Sequence, residues 1–228
     1  MIRQYQKHDR LLVAVDCIIF GFDGTKLKVL LTKRGFEPQK GSWSLMGGFV
    51  KMGDSVENAA SRVLFDLTGL HNIYMEELSC FGAIDRDPGG RVISIAYFAL
   101  IKIGEYNDAF VAVHNSKWFD LDDVPTLVFD HKKMIRLAKE RLRQRVYNHP
   151  VGFELLPKKF TLPQLQLLYE AIYETRIDKR NFTRKILSTR LLRKLNEKER
   201  LSSKKGAFLY VFDKQKYQQL DKEGLKLI

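Results

Sequence analysis

The sequence predicts an α/β protein in two parts, a mixed-sheet α/β/α sandwich followed by a C-terminal winged helix-turn-helix domain. Three observations carry that expectation. β-rich runs and amphipathic helices alternate through the first 150 residues without a strict βαβ rhythm, which favours a mixed sheet over a doubly wound parallel one. Asn148-His149-Pro150 then interrupts a helix, because proline disfavours helical geometry in the residue before it. Beyond that break the charge changes: residues 151–228 hold 18 Lys and Arg against 9 Asp and Glu, net +9, whereas residues 1–150 hold 21 against 18, net +3. The expected domains are 1–149 and 150–228.

In the first part, RLLVAVDCIIF (10–20) and KLKVLLTKR (26–34) read as strands. They are joined by FDGT, whose Asp23-Gly24 pair is a hairpin signal. A Gly- and Pro-bearing loop over 35–48, a helix from about Ser55 to Thr68, and a strand around 78–84 follow. The turn RDPGGR (86–91), the strand VISIAYFALI (92–101) and a basic helix from about His131 to Tyr147 complete the part. The second part opens with a short strand GFELL (152–156) and a helix over 162–174, in which Leu162, Leu165, Leu168, Tyr169 and Ile172 form one apolar stripe. The turn TRI, a helix over 178–189, a charged stretch and the strand AFLYVFD (207–213) end the series.

With 228 residues, 45% hydrophobic, the chain can bury a substantial core. No run approaches the roughly 18 apolar residues of a membrane span, and MIRQYQKHDR lacks the apolar centre of a signal peptide. No membrane partner and a cytoplasmic location are expected. Cys17 and Cys80 lie in apolar segments without metal-ligand spacing; both read as buried small hydrophobes, with no disulfide and no zinc.

The basic excess points to a polyanion, since Lys and Arg gain affinity by releasing counterions from phosphates. In the helix over 178–189, Phe182 and Ile186 turn inward while Arg180, Asn181, Arg184, Lys185 and Ser188 spread over the other face. Two helices joined by a three-residue turn, the second basic, match the helix-turn-helix that lays a recognition helix in the major groove. Arginine can pair bidentately with guanine and asparagine with adenine. RLSSKKGAFLYVF reads as a β-wing with lysines at its tip. The expected DNA contacts are Lys179, Arg180, Asn181, Thr183, Arg184, Lys185, Lys204 and Lys205, on double-stranded operator DNA.

KGSWSLMGGFVKMGDSVENAASRVLFDLTGL (40–70) resembles the Nudix box, G-x5-E-x7-R-E-U-x-E-E-x-G-U with U apolar. Gly48 fits the first glycine, Asp54 replaces the first Glu, and Arg62, Leu64, Gly69 and Leu70 fit their positions. In that family the carboxylates that hold Mg²⁺ fall at positions here occupied by Val63, Asp66 and Leu67. Those positions share one helix face, which lets several oxygens converge on a hard cation; two of the three are apolar here. No catalytic residue, metal ligand or cofactor is therefore expected. Gly47, Gly48 and Gly69 are assigned to tight turns, Asp54 and Glu57 to a capping box with aspartate at the N-cap, and Arg62 to an ion pair with Asp54.

The resemblance extends over nearly the whole chain. VDCIIF, KVLLTKRG, VFDH and FTLPQLQLLYEAIYETRIDKRNFTRK are similar to the NrtR-like regulators, in which a Nudix-fold domain precedes a winged helix. The overall resemblance lies nearer the L-arabinose-responsive AraR branch. It implies a homodimeric DNA-binding repressor, not an enzyme, released from its operator by a small-molecule effector. L-arabinose is the expected effector and ADP-ribose the alternative; a pyrophosphohydrolase whose basic tail grips its substrate is a second alternative. Lys33, Trp43, Asp85 and Arg86, near strand ends around the cleft, are the expected effector ligands, since a sugar pocket pairs an aromatic plate with polar side chains.

Overall fold

The computed structural model describes residues 5–69, 71, 73–103, 115–148, 152–200 and 206–222. The chain divides into two compact units. The first comprises Met1–Ile19, Val29–Ala99 and Tyr106–Ala138; the second comprises Phe20–Lys28, Leu100–Glu105 and Lys139–Ile228. No helix among the described residues is long and apolar enough to cross a membrane.

A mixed sheet carries most of the first unit, the ends of three of its strands being counted with the second. Its strands are β1 (Leu12–Phe22), β2 (Leu27–Lys33), β3 (Trp43–Ser44), β4 (Met46–Phe49), β5 (Tyr74–Phe81), β6 (Val92–Leu100) and β7 (Ser116–Asp120). The order is β3-β2-β1-β6-β5, with β4 also paired to β1 and β7 to β2. Val15, Cys17, Ile18 and Ile19 of β1 are all fully buried, the pattern of a central strand covered on both faces. Helix α1 (Val56–Thr68) supplies Ala59, Ala60, Val63 and Leu64 to the core. Helix α2 (His131–Asn148) begins in this unit and continues into the second.

Several sequence expectations change here. The segment 35–48 is not all loop, because β3 and the start of β4 lie in it. Gly47 and Gly48 sit in β4 rather than in tight turns, and Gly47 lies opposite Asp16 in antiparallel register. A Cβ on Gly47 would stand 2.4 Å from Asp16 Oδ1 and 2.9 Å from the Val15 carbonyl oxygen. Gly69 does serve as a turn residue, with φ 69° at the α1 C-cap. The α1 N-cap is Ser55, which accepts the Asn58 N–H at 3.1 Å. Asp54 instead takes Arg62, so the expected aspartate-led capping box is replaced by an ion pair at 2.7 Å. Cys17 is buried but Cys80 is exposed, because β5 carries it on its solvent side.

The second unit contains helices α3 (Leu162–Tyr173), α4 (Lys179–Ser188) and α5 (Lys214–Lys222). Its three-stranded sheet has the order β8-β10-β9, from β8 (Phe160–Thr161), β9 (Leu192–Glu199) and β10 (Ala207–Phe212). GFELL forms a 3₁₀ turn over Phe153–Leu155, not a strand, since a glycine at φ 107° turns the chain at its start. Thr161 and Gln164 form a capping box at the start of α3. Leu165, Leu168, Tyr169 and Ile172 are buried as the stripe requires, and Leu162 is half-buried. The Phe182 ring of α4 packs edge-on against Tyr169, centroids 5.3 Å apart. Much of the charged stretch is strand β9, paired with β10 as the wing.

Gly47→Ala should destabilise the chain by about 1–3 kcal/mol, the usual cost of forcing extra atoms into a packed site. Gly53→Ala, where a Cβ meets nothing within 4 Å, serves as the control. Urea denaturation of the two variants separates these outcomes.

Candidate functional site

The first unit encloses a cavity of about 470 Å³. Its wall comes from β1 (Ala14, Asp16), the end of β2 with the loop after it (Thr32 to Phe36), the Ser44–Phe49 strands, and Arg86, Asp87, Val92, Asn115, Phe129 and His131. A charge cluster forms one side. Asp16, only 7% exposed, accepts the Ser94 hydroxyl at 2.6 Å and faces Arg86 Nη2 at 3.4 Å. Arg86 donates two further hydrogen bonds to Asp130, at 2.8 and 3.2 Å. Burial alone would lower the Arg86 pKa, but the Asp130 hydrogen bonds and both aspartate charges outweigh it and raise it.

His131, the first residue of α2, completes this cluster. Its Nδ1 accepts the Leu45 backbone N–H at 3.0 Å, which leaves the proton on Nε2, 3.7 Å from Asp16 Oδ1. Burial holds its pKa below the ordinary 6.5, against the pull of Asp16 and Asp130. A neutral imidazole thus ties α2 to the strand beside it.

Beside this cluster, where the Phe129 ring meets that of His131 edge-on at 5.5 Å, the wall is basic and aromatic. Arg34 donates from Nε to the Pro38 carbonyl at 2.7 Å, and its guanidinium lies 4.1 Å from the Phe36 ring centre and 5.0 Å from that of Phe129. Phe36 is 56% exposed. Phe129 adopts φ 51°, a left-handed conformation that bulky residues rarely take and that marks stored strain. Lys33 lies over the Trp43 ring at 4.2 Å. Among the described residues neither Lys33 nor Arg34 meets a carboxylate, whereas Asp16 is matched by Arg86 and Ser94 and Asp87 accepts the Gly89 N–H. Lys33 and Arg34 are thus cations without a carboxylate partner among the described residues, whereas the cluster of Asp16, Asp130 and Arg86 sets two carboxylates against one guanidinium.

Of the expected effector ligands, Lys33 and Arg86 line the cavity. Trp43 does not; it packs edge-on against Phe119 at 4.8 Å and bonds through its carbonyl to the Val128 N–H. Asp85 is exposed on the turn before Arg86, outside the cavity wall. Sequence reasoning missed Arg34, Phe36 and Phe129. Arg34 ends a run read only as a strand and Phe36 belongs to the loop after it, and no local pattern links them to a phenylalanine nearly a hundred positions on.

On the α1 face, Val63 is buried against Gly48 and Asp66 is exposed; the Leu67 side chain lies outside the described residues. Asp54 accepts two hydrogen bonds from Arg62, which hold its carboxyl below the usual range.

In the second unit Lys179, Arg180, Asn181, Arg184 and Lys185 are exposed on α4, and Thr183 is half-buried. Phe182 and Ile186 are buried, each 8% exposed. Lys204 and Lys205 lie outside the described residues. On the wing, Lys194 and Lys198 stand 3.6 and 4.6 Å above the Phe208 ring. The turn between the helices is locked: Glu170 accepts the Ile177 N–H at 2.9 Å and the Gln166 amide at 3.0 Å. Glu174, at φ 55°, is clasped by Lys139 and Arg143 of α2.

Residues 10–138 match the NUDIX domain and residues 152–212 match the NrtR DNA-binding winged helix domain. The chain is 32% identical over 222 residues to the ADPR responsive transcriptional repressor NtrR of Acinetobacter baylyi, covering 95% of this chain and 88% of that one. It is 39% identical over 135 residues to the ADP-ribose pyrophosphatase of Methanocaldococcus jannaschii, covering 59% of this chain and 77% of that one. Shewanella oneidensis NrtR complexed with a 27mer DNA superposes with a TM-score of 0.82 at 30% identity, covering 90% of this chain and 95% of that one. The NUDIX domain of the Shewanella protein complexed with ADP ribose superposes at 0.52 and 32% identity, covering 60% and 92%. These matches give no support to L-arabinose as effector or to the AraR branch.

The buried neutral His131 sets a pH dependence. Its folded pKa lies below the unfolded 6.5, so the unfolded chain takes up the proton first and stability falls as pH drops below about 6.5. Denaturation midpoints at pH 7.5, 6.5 and 5.5 should decline across the lower step, by up to about 1.4 kcal/mol per pH unit. In His131→Gln that decline should flatten; an unchanged slope would assign it to other groups.

Proposed function

Because this chain belongs to the family of Nudix-domain regulators with an NrtR DNA-binding winged helix domain, we propose that it is a transcriptional repressor whose first domain senses ADP-ribose. The expected boundary near residue 149 is kept as the division between the sensing and DNA-reading domains. The observation that carries the effector reading is the basic and aromatic side of the cavity. A ligand with a flat base and a diphosphate finds there a planar guanidinium beside two phenyl rings, and two cations with no carboxylate to satisfy. Aromatic rings and arginine stack on nucleobases, and Arg and Lys are the usual partners of phosphate oxygens. An uncharged monosaccharide would leave Lys33 and Arg34 without a counter-charge. The names of the relatives, ADPR responsive repressor and ADP-ribose pyrophosphatase, support the same ligand.

The donor set of α1 supports sensing over hydrolysis. A divalent cation on a pyrophosphate needs several converging oxygens, but positions 63 and 67 carry apolar side chains and the Asp54 carboxylate is engaged by Arg62. These residues do not fit the metal clamp of a hydrolase. The pyrophosphatase relative keeps hydrolysis as the second reading.

DNA binding is assigned to α4 and the wing, in a homodimer that presents two recognition helices to a palindromic operator. The effector acts by favouring a geometry that DNA does not accept, so its binding and DNA binding weaken each other by one factor. Helix α2 is the proposed connection, since one uninterrupted helix carries His131 of the cavity cluster and the Lys139 and Arg143 that clasp Glu174.

Fluorescence anisotropy on duplex DNA from the promoter of its own gene, at fixed salt, tests this reading. ADP-ribose should weaken binding about ten-fold or more and L-arabinose should not; no response to ADP-ribose removes the effector assignment. Arg34→Ala should weaken ADP-ribose about ten-fold while leaving DNA affinity without effector unchanged. Replacing Arg184 and Lys185 together by Ala should reduce DNA binding at every effector concentration. Mg²⁺-dependent release of AMP from ADP-ribose by the wild-type chain would favour the hydrolase.

A further inference from the structure

Helix α4 exposes a row of polar side chains, and two of them are coupled. Asp178 caps the helix, its Oδ1 accepting the Asn181 N–H at 2.8 Å, which fixes the Asn181 backbone. The Asn181 side chain in turn accepts, at Oδ1, a hydrogen bond from Arg184 Nη2 at 2.9 Å. Residues three apart share a helix face, and this face turns away from the buried Phe182 and Ile186. Only the oxygen of an amide can accept an arginine proton. The bond therefore fixes the amide with its Nδ2 donor directed away from Arg184.

That orientation decides which base edge the pair complements. An asparagine that reads adenine offers an acceptor to N6 and a donor to N7 together. Here Oδ1 is already held by a cation, whose remaining N–H groups would stand against the N6 donor. Guanine presents two acceptors, O6 and N7, and the outward groups of the pair are all donors. A guanidinium braced on one side also has less rotational freedom to lose on docking.

We propose that Asn181 and Arg184 form one reading unit, in which Arg184 contacts a guanine in the major groove and Asn181 is the positioning residue that presents it. This rests on the DNA-binding reading above and gives Asn181, expected among the DNA contacts, a role other than direct pairing with adenine.

The test is selection of duplexes from a randomised pool by the full chain and by Asn181→Ala, Arg184→Ala, Arg184→Lys and the double alanine variant, each first checked for native circular dichroism. Both alanine variants should lose preference for guanine at the same position of each half-site, by about ten-fold. The double variant should lose no more than Arg184→Ala alone, and Arg184→Lys should relax the same position. Arg184→Ala should keep the salt slope, whereas Lys179→Ala, a phosphate contact, should lower it by about one without changing base preference. Relaxation of an adenine at a separate position in Asn181→Ala would overturn the coupling. So would an Arg184→Ala variant that lowers the salt slope and leaves base preference intact. A wild-type chain that enriches no sequence would remove the DNA reading together with this proposal, a result visible without any variant.

Discussion

The ion cluster of buried Asp16 and Arg86 with half-buried Asp130 is the constraint on which the first unit depends. A carboxylate placed at the middle of a central strand is costly unless its charge is matched and its oxygens are hydrogen-bonded. Ser94 and Arg86 supply that match at Oδ2, and His131 Nε2 stands 3.7 Å from the other oxygen. Because Asp130 and His131 open α2, matching the charge also fixes where that helix begins. Because His131 takes the Leu45 N–H, the same cluster fixes the strand that carries Gly47. The missing side chain at position 47 is then a requirement, since the space a Cβ would occupy belongs to the carboxylate.

This arrangement determines what the cavity can attract. Arg86 is the cation nearest the carboxylates, and its charge is spent on them. Lys33 and Arg34 project from the end of β2 and the loop after it, where no such match exists. The cavity therefore sets two unpaired cations apart from a cluster in which one guanidinium serves two carboxylates, and such cations are the usual partners of phosphate oxygens. The strained Phe129 immediately precedes Asp130. The ion pair that anchors Asp130 is thus well placed to hold the backbone in a conformation that a phenylalanine would otherwise leave.

How much of this was legible in the sequence follows from the range of the interactions. The β1 and β2 runs, α1, α3 and α4 declare themselves through local periodicity, and the inward turn of Phe182 and Ile186 follows from their spacing alone. Strands β3 and β4 are short and β4 is half glycine, so only pairing with β2 and β1 makes them strands. Strand β9 is charged along most of its length and offers no apolar alternation to read. The cavity was half legible: Lys33 and Arg86 stood near the box and at a strand end, while the large aromatic Trp43 drew attention that belonged to Phe36 and Phe129. Those two rings meet Arg34 only through the tertiary fold. The replacement of carboxylates at positions 63 and 67 was readable at once, because a motif with fixed spacing exposes each departure from it.

The DNA-reading unit solves a different problem, that of holding a ten-residue helix rigidly with few buried side chains. Phe182 and Ile186 give α4 only a narrow apolar contact, so its orientation is fixed largely by the turn before it. Glu170 and Gln166 bind that turn from α3, and Lys139 and Arg143 clasp Glu174 from α2. Glu174 occupies a left-handed conformation that an ordinary residue adopts at some cost, and its two cationic partners offset that cost while drawing its pKa down. The turn is consequently a point where a displacement of α2 would be felt directly by the reading helix. A loosely attached helix could still meet DNA, but its orientation would not be set by the two helices that hold the turn before it.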